Sequence, residues 1–265
     1  MSILELMALG VVAGAGAGLL AGLVGIGGGV VIVPAIYYGL TSTSASANDA
    51  AHVAVATSLA SIVPSSLASF TRHLRAGHAD LRFLAEWGPG IIIGVAAAQI
   101  AAPYIDGRVL AATFAALCLL FSYRFAFPAQ FSTVKERPTG RTFRYWASVG
   151  IGVSSGLAGV GGGILTNIVM TVSGLPMHKS IGRAAATGVA VSIPAMIVAA
   201  LAVQSSGATR IGSIDWAIWV CVAPVQAVAA WIGASIAVHT NSEVLSRIFA
   251  AVLAITGVVM MRTAL

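Results

Sequence analysis

Apolar residues run through this chain in long stretches separated by short polar or basic segments. A helix crossing about 30 Å of hydrocarbon needs roughly 20 apolar residues. On that measure eight segments are predicted: Ile3 to Leu40, Ala50 to Phe70, Phe83 to Tyr104, Val109 to Phe127, Tyr145 to Leu175, Ile181 to Val203, Ile214 to Val238 and Val244 to Met261. The first and fifth are longer than one helix requires, and both carry dense glycine clusters. The pattern predicts an all-α polytopic membrane protein with Gly-broken first and fifth segments.

Those two segments look alike because the chain repeats itself. Gly22, Gly25, Gly27, Gly28 and Gly29 of GLVGIGGG recur 134 residues later as Gly156, Gly159, Gly161, Gly162 and Gly163 of GLAGVGGG. Ala54, Thr57 and Pro64 recur at an offset of 130 as Ala184, Thr187 and Pro194. Asp80, Pro89, Leu110 and Phe114 recur at an offset of 135 as Asp215, Pro224, Leu245 and Phe249. The organisation is therefore two four-segment repeats, residues 1–127 and 145–265, joined by a basic linker at 128–144 that is expected to be cytoplasmic. Gly-interrupted segments at equivalent positions of two halves point to the central site of a secondary transporter. A duplicated channel or scaffold is the competing reading of the repeat.

Composition fits this picture. Hydrophobic residues make up 58% and charged residues 8%, with a mean hydropathy of +0.96, against about 25% charged in soluble domains. An ordinary soluble enzyme is excluded. The net charge of +6 would suggest a nucleic-acid partner in a soluble protein; here none is expected, and the excess Lys and Arg should mark cytoplasmic loops. If the first and fifth segments cross once, the repeats are parallel, with 10 of the 14 Lys and Arg inside. If they dip in and return at the glycines, the repeats are inverted, with 11 inside. The charge count barely separates the two; segment length and glycine content favour the inverted arrangement, with both termini outside. The start of the chain has no basic n-region and is read as part of the mature protein. Cys118 and Cys221 sit within apolar runs and suggest neither a metal cluster nor a disulfide; no metal or cofactor is expected.

Three consecutive glycines after a helical run leave backbone N–H groups to point into a cavity, and a helix can begin just beyond them. Such a nest binds anions without a charged side chain. Gly25, Gly27, Gly28 and Gly29 and their partners Gly159, Gly161, Gly162 and Gly163 are accordingly candidate substrate-binding residues. Neither cluster completes GxGxxG or precedes GK[ST], so nucleotide binding is not expected. The small-residue series Gly10, Gly14, Gly18, Gly22 and the pair Gly152, Gly156 read as helix-packing positions.

HVAVATSLASIVPSSL and GRAAATGVAVSIPAMI form the second paired constellation. Thr57, Ser58, Ser61 and Thr187 can donate to an oxyanion, or bond back to their own helix carbonyls. Asn167, beyond the second glycine cluster, is expected to face the cavity, more so than Gln99 or Gln226; its counterpart is Val33. Arg183 can meet an anion or snorkel to the interface, as can Lys179, His178 and His52. Arg72, His73, Arg75 and His78 read as topology determinants. Asp80 and Asp215 read as helix caps, and Tyr104, Trp146, Trp216 and Trp219 as interfacial anchors. No zinc spacing, Gly-x-Ser-x-Gly elbow or intramembrane carboxylate pair supports an enzyme.

GLVGIGGGVVIVP, HVAVATSL, RAGHADLRF and their second-half echoes resemble the TauE/SafE family, the toluene sulfonate uptake permeases. The resemblance covers almost the whole chain. It implies a multi-pass carrier of the bacterial inner membrane that exports sulfite or small organosulfonates such as sulfoacetate. An anion channel or an uptake permease for sulfur-containing anions is the alternative, and a homodimer is left open. Ser58 stands where the second copy has Gly188, so the two halves are not equivalent donors. The expected mechanism brings the two glycine breaks face to face near the bilayer midplane, with Thr57, Ser58, Thr187 and Asn167 lining a small cavity exposed alternately to each side.

Overall fold

A computed structural model describes residues 3–25, 27–42, 45–127, 140–175, 177–202, 210–237, 240 and 242–264. Ten α-helices occur among the described residues. In the first half they are α1 (Ile3–Val24), α2 (Gly29–Thr41), α3 (Ala47–Arg75), α4 (Leu81–Ala101) and α5 (Gly107–Ala126). In the second they are α6 (Arg141–Ala158), α7 (Gly163–Val172), α8 (Met177–Leu201), α9 (Trp216–Ala237) and α10 (Ser242–Ala264). A two-residue ribbon pairs Arg210–Ile211 with Ile214–Asp215 just before α9. The expected linker falls outside the described residues up to 139, and α6 has already begun at Arg141.

The two long segments are each split in two. α2 has 13 residues and α7 has 10, about 20 and 15 Å at 1.5 Å per residue, too short to cross hydrocarbon alone. The first doubles back: Gly28 lies beside Ala17, while Ile32, Ala35 and Ile36 enclose a small cavity with Gly10 and Ala13, so α2 runs antiparallel to α1. At the second break Gly162 lies beside Ser155, and α7 then packs along α8. Among the described residues five helices are long and apolar enough to span a membrane: α3, α4 with the 3₁₀ turn that follows it, α5, α8 and α9.

Packing exchanges partners between the halves. α1 lies against α9, and α6 against α4. A Cβ on Gly22 would sit 2.1 Å from the Ala230 carbonyl, one on Gly18 2.3 Å from the Gln226 carbonyl, and one on Gly14 3.0 Å from the Val222 carbonyl. These glycines exist so that two backbones can touch. Contacts advance along both helices together, so α1 and α9 are parallel. Gly94 and Gly152 bring α4 and α6 together in the same way, with a Cβ on Gly152 only 2.3 Å from the Ile91 carbonyl. The small-residue series is thus a packing device, as its spacing suggested.

α3 and α8 form the centre, α3 being the more enclosed. Their polar residues are inside: Thr57, Ser58, Ser61, Ser65, Thr187 and Ser192 have no solvent exposure. Large apolar side chains meanwhile cover the outside, among them Val12, Ile93, Leu120, Val228 and Ile255. A surface of that kind belongs against lipid, where an exposed backbone carbonyl or hydroxyl is costly and an exposed leucine is not.

Candidate anion site between the glycine breaks

Backbone geometry at the two breaks is nearly identical. Gly25, Gly27 and Gly28 have φ of 74°, 79° and 78°; Gly159, Gly161 and Gly162 have 72°, 73° and 75°. Any other L-residue would pay roughly 1–2 kcal/mol for each such conformation. Gly28 and Gly162 are the N-caps of α2 and α7, and neither offers a side-chain acceptor. The first N–H groups of each short helix therefore have no acceptor inside their own helix.

The breaks meet. A Cβ on Gly29 would lie 2.1 Å from the Gly159 carbonyl and 3.0 Å from Val160 Cα; one on Gly159 would lie 3.0 Å from Val33. Each half also reaches into the other's break. Asn167 Nδ2 donates to the Val24 carbonyl at 3.3 Å, and Ser58 Oγ donates to the Gly159 carbonyl at 3.0 Å. Two glutamines clamp the same region from α9 and α4: Gln226 Nε2 donates to Gly27 O and Gln99 Nε2 to Gly156 O, both at 2.8 Å. Asn167, Gln226 and Gln99 are thus all structural donors to glycine-segment carbonyls, although only Asn167 was expected here.

The hydroxyls divide unequally. Thr166 Oγ1 donates to Thr187 Oγ1 at 2.9 Å, and Thr187 Oγ1 donates in turn to the Arg183 carbonyl at 3.1 Å. Both threonines are fully buried, and Thr187 Cγ2 lies 2.7 Å from where a Gly162 Cβ would be. This pair packs beside the second break. Thr57 instead accepts from the Asp215 N–H at 3.0 Å, tying α3 to the start of α9. Ser61 bonds back to the Ser58 carbonyl at 2.8 Å. Thr166 was not singled out in the sequence because its repeat partner is Ile32, and a search for matched positions passes over it.

A model of the family described as sulfite exporter TauE/SafE matches residues 10–260. The chain belongs to that family. Among curated proteins it is similar to a "Probable membrane transporter protein" of Haemophilus influenzae, 30% identical over 183 residues, covering 69% of each chain. It is also similar to the "Probable membrane transporter protein YunE" of Bacillus subtilis, 29% identical over 187 residues, 62% of this chain and 66% of that one. The second match thus spans slightly less than two thirds of the relative. No solved structure matches the chain significantly. As a TauE/SafE protein it is a multi-pass membrane transporter, with a lipid bilayer and a small anion as its implied partners; the comparisons lend no support to a homodimer.

Charged residues near the span ends of this TauE/SafE chain have specific partners. Asp80 and Asp215 are caps: Asp80 Oδ1 accepts from Phe83 N, and Asp215 Oδ1 from Ala217 N and Ile218 N at 3.1 and 3.2 Å. Asp49 pairs with Arg210 at 2.8 Å, and the His52 ring nitrogens lie 2.8 Å from Asn48 O and 3.0 Å from Ala102 O. Lys179 is exposed; the His178 side chain lies outside the described residues. His73 departs from its expected place in a loop: it is 2% exposed, with Nε2 3.4 Å from Gly22 O. Arg72 donates to Ser235 Oγ, and Arg75 stacks on Trp231, so these residues also fasten α3 to α9. Tyr104 and Trp146 project outward, whereas Trp216 and Trp219 meet each other edge to face and pack against the interior cluster around Ala56, Ala199 and Ile214. Among the described residues no His, Cys, Asp and Glu cluster is arranged to hold a metal ion.

Proposed function

We propose that this transporter exports sulfite or small organosulfonate anions across the bacterial inner membrane by alternating access, with the substrate held between the two glycine breaks. The observation that carries the reading is the contact of Gly29 with Gly159. It sets the first residue of α2 against the C-cap of α6, three residues before the N-cap of α7 at Gly162, and helix N-termini offer N–H groups and a partial positive charge to an anion. Ser58 donates to the Gly159 carbonyl at that contact, Asn167 to Val24 before the first break, and Thr166 and Thr187 pair beside Gly162; an anion would take these hydrogens in exchange for their present acceptors. Sulfite and sulfonates are compact and acceptor-rich, matching a lining that donates without carrying full charge. Arg183 adds a full positive charge one helical turn from Thr187.

The two halves are inverted in this reading. Supporting it are the return of α2 along α1 and the parallel pairing of α1 with α9 and α6 with α4. Traced on that basis, Arg72, Arg75, Arg82, Arg124, Arg141 and Arg144 with Lys179, Arg183 and Arg247 fall on one face. Arg108, Arg210 and Arg262 fall on the other. The richer face is cytoplasmic by the positive-inside rule. Outward movement of an anion from a negative-inside cell gains about 2.3 kcal/mol per charge per 100 mV, so export needs no coupling ion.

Proteoliposomes of the purified full-length chain test the assignment. Saturable sulfite flux accelerated by sulfite on the opposite side is the expected result. Flux without saturation or trans-stimulation would make the protein a channel, and flux of no sulfur oxyanion would remove the substrate class.

A further inference from the structure

α7 and α8 lie antiparallel and touch at two levels. The inner level is the buried Thr166–Thr187 hydroxyl pair. One turn outward on each helix, Arg183 Nη1 donates to Met170 Sδ at 3.4 Å. At this outer level a cavity of about 390 Å³ opens, its walls including Asp80, Arg82, Glu86, Trp87, Arg144 and Arg183. Three guanidiniums thus face two carboxylates. Arg144 and Arg82 both bond Glu86, the latter at 3.0 Å. Arg183 is held more loosely: Nη2 stands 3.7 Å from Asp80 Oδ2, and the guanidinium lies 5.3 Å over the Phe83 ring, itself stacked on Trp87.

Resting on the transport reading above, we propose that this cavity is a vestibule in which a small oxyanion is captured on Arg183, and that the Asp80 carboxylate occupies Arg183 until the anion displaces it. A charge-assisted hydrogen bond closes to about 2.7–2.9 Å; the Asp80 pair is well outside that distance. It is also partly solvated, with side-chain exposures of 28% and 51%, and such pairs are worth little. Exchange therefore costs little, while the planar guanidinium can present two parallel N–H groups to two oxygens of an incoming anion. Asp80 does not follow its partner when displaced, because its other oxygen stays on the Phe83 N–H at the start of α4. The cavity is larger than a sulfite ion, so the anion arrives with part of its water, and the Phe83–Trp87 stack gives an organosulfonate's carbon tail an apolar wall. From Arg183 the next donors inward are Thr187 and Thr166, a single turn away, and behind them the Gly162 break.

The equivalent positions in the first half are apolar. Repeat offsets put Val53 opposite Arg183 and Ile36 opposite Met170, and both are buried apolar residues.

Sulfite binding to the full-length protein in phosphatidylcholine nanodiscs, measured by calorimetry, tests this. Asp80→Asn keeps a capping side chain but removes the competing charge, and should tighten binding roughly two- to fivefold. Arg183→Gln should weaken it about tenfold or more, and Arg183→Lys should fall between. Should Arg183→Gln fail to fold, Asp80→Asn and Arg183→Lys decide the matter. The proposal is overturned if these variants bind sulfite as wild type does, or if wild type binds none. It is also overturned if replacing phosphatidylcholine with phosphatidylglycerol abolishes the effect of Asp80→Asn, since a lipid headgroup would then be the occupant. Flux in proteoliposomes separates the two claims. Shifted affinities without flux would sink the transport reading alone, and flux with unshifted affinities would sink the vestibule alone.

Discussion

The seam between α2 and α3 and the seam between α7 and α8 occupy equivalent places in the two halves, but they are lined differently. Along α7 and α8 run Arg183 with Met170, then Thr187 with Thr166. Along α2 and α3 the same positions hold Val53 with Ile36, then Thr57 with Ile32. Thr57 has turned to accept from the backbone of Asp215, so its hydroxyl serves the joint between halves. The glycine backbone has meanwhile stayed almost the same, each φ within several degrees of its partner. The lesson is that the break geometry tolerates only glycine and is therefore shared, whereas the side chains beside it are free to specialise. Along this seam one half sets polar side chains beside the break; the other sets mostly apolar ones.

The largest effects should come from the shared backbone. Gly28→Ala and Gly162→Ala both force a Cβ onto left-handed backbone, at roughly 1–2 kcal/mol apiece before any clash. The clash differs: at Gly28 it is the Ala17 carbonyl at 2.6 Å, at Gly162 the Thr187 methyl at 2.7 Å. A side chain can move and a helix carbonyl cannot, so Gly28→Ala should show the larger fall in melting temperature by scanning fluorimetry in detergent. Equal falls would mean the two breaks are equally constrained.

Removing a hydroxyl should then separate the seams. Thr187→Val leaves Thr166 without its acceptor beside the second break and should raise the sulfite KM about tenfold. Thr57→Val should mainly cost stability, on the order of 1 kcal/mol for the lost bond to Asp215, with little change in KM. If both variants keep wild-type KM, the site between the breaks is misplaced.

Smaller effects are expected at the clamps. Gln226→Leu and Gln99→Leu each delete one bond to a glycine-segment carbonyl and should cost about 1 kcal/mol by chemical denaturation. Because Gln226 holds the break itself and Gln99 the helix before it, Gln226→Leu should also slow flux more. Smallest of all, Arg82→Ala removes an 87% exposed side chain and should leave the melting temperature unchanged within measurement error.

Much of the architecture was legible in the chain. Segments read from hydrophobicity reappear as helices, and the two overlong ones reappear as α1 with α2 and α6 with α7. The capping by Asp80 and Asp215 and the packing by Gly18, Gly22 and Gly152 follow from local rules of charge and volume. Less was legible at the candidate site. Ser58, Asn167 and Thr187 do gather near the breaks, but Thr57 is drawn aside to Asp215, and Thr166 joins without having been signalled. His73, which looks like one of several loop cations, is buried under Gly22.

Sequence by itself determined the membrane-spanning character, the duplication, and where the chain must break, because these depend on hydrophobic length and on glycine's lack of a side chain, both local properties. Tertiary structure alone decided that α1 packs on α9 and α6 on α4, that Gly29 touches Gly159, and that Arg183 of the second half meets Asp80, Arg82 and Glu86 of the first in one charged cavity. Those outcomes depend on which surfaces of distant segments fit one another. A contact between residues 130 apart has no trace in either residue's neighbours along the chain.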